Sequence, residues 1–178
     1  TDERTLCMSC HKDEDRKLAG MQQHPPFKAG KCTSCHDPHQ SDKPHLVRSD
    51  VASLCQTCHE GMKEEIARAV VHPPAAEGDC LACHGQHGGK GKAFLKSNPK
   101  VLCADCHDEI AEKIQSKGAH TGAANGLCAS CHEPHGSAQP KLLKAAKADD
   151  LCVTCHKSVV KTGDRVHKPV GDGKCLSC

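Results

Sequence analysis

Apolar positions in this chain come singly or in short pairs, without the long stripes that build an ordinary core, and none of the runs approaches the roughly 20 residues that span a bilayer. What pattern exists recurs at fixed places. Leu6, Leu54, Leu102 and Leu151 each stand directly before a cysteine. Asp2, Asp50 and Asn98 lie five residues ahead of the first three of those cysteines, in N-cap positions, and Pro99 suits a first helical turn. The pattern predicts a short amphipathic helix running through and beyond each such motif. It is clearest over residues 60–71 and 108–117, the second closed by Gly118. A second class of cysteine motif is preceded by Gly30, Gly78, Gly126 or Gly173, which suggests a positive φ or a backbone pressed against a flat cofactor. Polar loops follow the first three of these motifs, and each runs into an apolar pair: Leu46-Val47, Phe94-Leu95 or Leu142-Leu143. These pairs read as small packing anchors. The predicted fold is mostly irregular, with short α-helices and little or no sheet.

Composition changes the picture. The 178 residues include 16 cysteines and 15 histidines but no Trp or Tyr, and Phe27 and Phe94 are the only phenylalanines. Side chains of this kind cannot fill an interior, so the core is expected to be cofactor. A net charge of +2, from 24 basic and 22 acidic residues, lacks the basic excess of a nucleic-acid binder. The opening Thr1-Asp2-Glu3-Arg4 has no signal-peptide pattern, so either a signal has been removed or none existed.

Every cysteine belongs to a C-x-x-C pair: Cys7/Cys10, Cys32/Cys35, Cys55/Cys58, Cys80/Cys83, Cys103/Cys106, Cys128/Cys131, Cys152/Cys155 and Cys175/Cys178. In the first seven the next residue is histidine, namely His11, His36, His59, His84, His107, His132 and His156. C-x-x-C-H is the attachment signature of c-type haem: two thiols add to the two vinyl groups, and the adjoining imidazole sits beneath the iron. Tetrathiolate zinc or thioredoxin-like chemistry would explain the pairs but not the adjacent histidine. Seven complete motifs and an eighth truncated one are therefore read as haem c sites.

Successive first cysteines are 25, 23, 25, 23, 25, 24 and 23 residues apart, which resolves into a repeat of about 48 residues with an odd and an even motif. The units are 1–48, 49–96, 97–145 and a truncated 146–178, forming one multihaem domain that reads as a segment of a longer chain. Seven further histidines keep the same phase. His24, His72, His120 and His167 stand eight residues before the even cysteines, and His39, His87 and His135 three residues after the even motif histidines. They are candidate distal ligands that would give each iron two imidazoles and a low reduction potential. His45 has no counterpart and reads as an ordinary polar side chain, and Met8, Met21 and Met62 show no period. His39, His87 and His135 lie too close in sequence to reach their own irons and should serve neighbouring haems. The upstream set could serve the even haem that follows, with His24 going to Cys32/Cys35, or the odd haem before it. Under the first scheme the first haem would need His45 or a histidine from another subunit.

The run Cys32-Thr33-Ser34-Cys35-His36-Asp37-Pro38-His39, repeated as Cys128-Ala129-Ser130-Cys131-His132-Glu133-Pro134-His135, resembles the doubled-CXXCH multihaem cytochromes. So does the stretch from Leu142-Leu143 to Leu151-Cys152, and only Gln86 departs from the loop pattern, standing where proline does elsewhere. The resemblance implies a linear array of haems and a periplasmic or extracellular electron carrier rather than an enzyme. It also implies partners among other redox proteins or outer-membrane cytochrome and porin components, or a homopolymeric filament. An oxidoreductase with one catalytic haem is the alternative. It would need an iron with an open position.

Overall fold

The computed structural model describes residues 2–157 and 165–175. The first unit runs α1 (Glu3–Met8), α2 (Asp13–Lys17), β1 (Gln22–Gln23) and α3 (Pro25–Lys28), then tight 3-10 turns at Cys32–Ser34 and Pro44–Leu46. The second repeats this order with α4 (Val51–Gln56), α5 (Gly61–Glu65), β2 (Val70–Val71), α6 (Pro73–Ala76), a turn at Cys80–Ala82 and β3 (Gly88–Gly89). The third has α7 (Pro99–Ala104), α8 (Asp108–Gln115), α9 (Thr121–Ala124), turns at Cys128–Ser130 and Pro140–Leu142, and β4 (Gly136–Ser137) between them. Beyond it come α10 (Ala148–Cys155) and α11 (Lys168–Gly171). The fold is mostly irregular with short helices, as expected.

The first three odd motifs break their helices instead of lying within them, whereas α10 runs through both Cys152 and Cys155. Around Cys7 the bonds tighten, with Cys10 N–H donating to Cys7 O at 3.2 Å and His11 N–H to the same oxygen at 3.0 Å. The chain then starts a second helix, so the single helices expected over 60–71 and 108–117 are α5 and α8, each shorter than its span. The caps follow the sequence in two of three cases. Asp2 and Asn98 side chains accept from Thr5 and Val101 N–H, while Asp50 occupies the cap position but pairs with Lys43 at 2.9 Å.

Gly30, Gly78, Gly126 and Gly173 all have positive φ, between 70° and 76°. The close neighbour at the first three is protein. A Cβ on Gly78 would stand 2.7 Å from Ala52 Cβ, and one on Gly126 would meet Lys100 Cβ at the same distance. At Gly30 the neighbour is Arg4. Each of these glycines lets the first turn of the odd helix press on the even motif of its own unit.

Units are stitched to their neighbours by main chain. β1 pairs antiparallel with β3, placing Gln22 opposite Gly89 and Gln23 opposite Gly88, and β2 pairs with β4, placing Val70 opposite Ser137. His24 N–H donates to His87 O at 2.8 Å, and His72 N–H to His135 O at 2.9 Å. The loop of each unit thus folds back onto the unit before it. Apolar packing plays little part: among the described residues no apolar side chain is buried, and Leu6 is 64% exposed. Within the apolar pairs Leu46 is exposed and the other five residues are half-buried. The pairs clasp the even motifs through backbone bridges from His36 to Val47, His84 to Leu95 and His132 to Leu143.

Two expectations follow. Gly78→Ala should cost about 1–2 kcal/mol or more for the left-handed backbone alone, whereas Gly61→Ala, with open space around it, should gain roughly 0.5–1 kcal/mol. Thermal melts of the two holoproteins followed by circular dichroism check this. With no apolar core, the chain stripped of its expected haems should show no cooperative melt, and a sharp transition in that form would contradict the cofactor-core reading.

Candidate functional site

The even imidazoles are fixed by an unusual loop. His36 Nδ1 lies 2.9 Å from His45 O, His84 Nδ1 2.7 Å from Ala93 O and His132 Nδ1 2.9 Å from Lys141 O. Consecutive left-handed residues aim two of those carbonyls, at φ 59° and 55° for His45 and Leu46 and 57° for both Lys141 and Leu142. Non-glycine residues adopt this conformation at a cost of roughly 1–2 kcal/mol each, which places the strain at the site. A carbonyl can only accept, so Nδ1 carries the proton and Nε2 keeps its lone pair for a metal. The side chain of His45 takes no part; its backbone does what Ala93 and Lys141 do.

The upstream histidines sit at helix N-caps. His24, His72, His120 and His167 hold extended backbone at the starts of α3, α6, α9 and α11, and proline directly after His24 and His72 disfavours any other choice. The rings of His24, His72 and His120 meet motif histidines of the following unit. His24 faces His59 with ring centroids 6.1 Å apart, His72 faces His107 at 6.0 Å and His120 faces His156 at 6.1 Å. The loop histidines meet motif histidines of the preceding unit: His87 faces His36 at 6.0 Å and His135 faces His84 at 5.9 Å. Neither order-based scheme for the upstream set matches, because the ring opposite His24 belongs to Cys55/Cys58 and not to Cys32/Cys35 or Cys7/Cys10. The backbone tie from His24 to His87 carries it past its own unit. His11, His39, His132 and His167 face no second imidazole among the described residues, and the His39 side chain is 92% exposed.

Burial and the neighbouring ring, in that order, hold His24 and His72 below the ordinary imidazole range, favouring the neutral form that binds metal. Phe27 stacks on His87 at 4.7 Å, and Phe94 meets His24 edge-on at 5.3 Å. The chain's two phenylalanines therefore both pack against candidate distal ligands.

The thiols form a continuous series. Cys32, Cys55, Cys103 and Cys175 each lie within electrostatic reach of the first thiol of the other motif in their unit, Cys7, Cys80, Cys128 and Cys152 respectively. Cys35 lies within electrostatic reach of Cys58, and Cys83 of Cys106, joining each even motif to the next odd one. Burial first, and then Cys80 and Cys128 respectively, push the Cys55 and Cys103 thiols up to about 11. Cys10, Cys131 and Cys155 are also free thiols, and Cys178 lies outside the described residues.

The donor set fits c-type haem. Two imidazoles bound to one metal from opposite sides, with bonds of about 2 Å and ring centres about 1 Å further back, stand about 6 Å apart. The five facing pairs have that separation, and each includes a histidine directly after a cysteine pair. Among the described residues no cluster of three or more His, Cys, Asp or Glu side chains converges as a zinc site requires. Sequence reasoning missed two carboxylates: Glu14, 3.1 Å from His87 Nδ1, and Glu65, 2.8 Å from His135 Nδ1.

The doubled CXXCH motif family matches the chain three times, over residues 24–64, 72–112 and 120–161. Each match opens on an upstream histidine and closes beyond the odd motif whose ring that histidine faces. Among curated proteins, none matches the chain.

Because only its carbonyl is used, His45→Ala should leave the oxidised visible and near-infrared spectra unchanged. A new high-spin band in that variant would give the His45 side chain a ligand role.

Proposed function

The chain belongs to the doubled CXXCH family of multihaem c-type cytochromes, and we propose that it carries electrons by hopping along closely spaced bis-histidine haems. The observation that carries this reading is the set of five imidazole pairs at 5.9–6.1 Å. The assigned sites use Cys7/Cys10 through Cys152/Cys155 with their seven adjoining histidines, and an eighth uses Cys175/Cys178. Distal ligands are His59's partner His24, His107's partner His72, His156's partner His120, His36's partner His87 and His84's partner His135. His39 and His167 are assigned to sites of the same two kinds by their phase in the repeat.

When bound, haem supplies one-electron iron chemistry. The chain does the rest. Thioether attachment at these neighbouring cysteines would hold successive cofactors close to one another. Main-chain ties between units hold that spacing, and backbone carbonyls keep the even imidazoles in the coordinating tautomer. At the five paired sites two imidazoles would leave no open position for a substrate, which supports a carrier over an enzyme. C-type attachment takes place outside the cytoplasmic membrane, which places the protein in the periplasm or at the cell surface. Its partners there are other redox proteins, outer-membrane cytochrome–porin components or further copies in a filament. Among the described residues, no helix is long and apolar enough to cross a membrane.

Intact mass with a pyridine haemochrome assay gives the haem count. The decisive variant is His72→Ala, which should convert one low-spin ferric haem to high spin. The change should vanish when the motif at Cys103/Cys106 is also removed and persist when the motif at Cys80/Cys83 is removed. High-spin ferric signal from wild-type sites His36, His59, His84, His107 or His156 would overturn the carrier reading in favour of a catalytic haem.

A further inference from the structure

The histidine–carboxylate pairs of the described residues are His39–Asp37, His87–Glu14 and His135–Glu65. The first, at 3.8 Å, is out in solvent. The other two are half-buried, and both fall on distal rings of even sites. The odd distal rings His24 and His72 differ: neither pairs with a carboxylate among the described residues. The even motif rings donate to neutral carbonyls. An anion on the distal ring is therefore the polar difference between the even sites at Cys32/Cys35 and Cys80/Cys83 and the odd sites that His24 and His72 face.

We infer that Glu65, and more weakly Glu14, hold the even haems at lower reduction potentials than the odd haems, dividing the array into alternating levels. The inference rests on the bis-histidine ligation proposed above. An imidazole that donates to a carboxylate is a more electron-rich ligand than one that donates to a carbonyl. An electron-rich ligand and a nearby negative charge both favour the ferric state, which carries one more positive charge, and so both lower the potential.

The two carboxylates are not equivalent. Lys17 Nζ lies 2.6 Å from Glu14 Oε1 and shares that anion, and the Glu14–His87 contact is the longer one. For Glu65, the ion-pair partner among the described residues is His135. Its place is fixed by backbone: a Cβ on Gly136 would collide with Glu65 O, and Arg68 donates to Gly136 O at 2.9 Å. The expected order of potentials is odd sites highest, then Cys32/Cys35, then Cys80/Cys83.

The test is a spectroelectrochemical titration of the full haem-loaded protein, with electron paramagnetic resonance of the oxidised form. Glu65→Gln keeps a hydrogen-bonding side chain but removes the charge. It should raise one low-potential component by roughly tenfold in its equilibrium constant, about 59 mV for one electron, with every haem still low-spin. Glu64→Gln, on the exposed face of α5, should move nothing. Lys17→Ala frees Glu14 from its cation and should lower a different component; it keeps the idea testable should Glu65→Gln fold poorly. Unmoved components in low-spin Glu65→Gln, or in Lys17→Ala, refute the tuning role and leave bis-histidine ligation standing. High-spin haem at these sites in the wild type refutes the ligation itself.

Discussion

Two imidazoles from different repeats must face each other about 6 Å apart, and the rest of the molecule is arranged around that requirement. The second ring never comes from the unit that supplies the first. His59 looks back to His24, while His36 looks forward to His87. A unit therefore cannot complete either of its sites alone, and its neighbours on both sides must be held in register. Two-residue strands would be negligible in a domain with a core. Here the pairings of β1 with β3 and β2 with β4 set that register, because the tied backbones, His24 to His87 and His72 to His135, are those that carry the rings.

Odd and even sites solve the same problem by different means. An even ring is seated on a loop bent through left-handed residues, and the strain of that bend aims a carbonyl at Nδ1. An odd ring follows a helix that closes in a tight turn at its own cysteine motif, and its side chain stays exposed. The two solutions fit together because Gly30, Gly78 and Gly126 let the odd helix lie against the even motif, bringing their first thiols within electrostatic reach of each other. Without buried apolar side chains, attachment and coordination have to replace the cohesion of a core. Bonds of that kind are directional, so the architecture is specified by distances and tautomers more than by packed volume.

How much of this was legible depended on whether a feature kept the period. Motifs, candidate distal rings, special glycines and the scarcity of sheet all recur, and all could be read from spacing. Partner choice could not. A constant phase says that His24, His72 and His120 play one role, but it is silent on which unit they reach. Order along the chain suggested the site nearest in sequence, and the backbone tie from His24 to His87 carries the ring past it. The apolar pairs were legible only in part. Phe94 does pack, against His24, but Leu46-Val47 and its equivalents also clasp the even motifs through carbonyls and N–H groups, which every residue has. Asp50 shows the same limit: its position predicts a cap, and Lys43 takes the carboxylate instead.

Glu14 and Glu65 escaped notice because they break the period. Glu14 lies three residues after His11 and Glu65 six after His59, so they reach His87 and His135 from different helical positions. Repetition explains how such an array can be built and lengthened, since each added unit brings the ring its neighbour lacks. It cannot explain how one site comes to differ from the next, because identical units would give identical iron environments. Any gradient along the array must come from residues that fall out of phase. The aperiodic charges around the imidazoles, Lys17 beside Glu14 among them, are what set one repeat apart from the next.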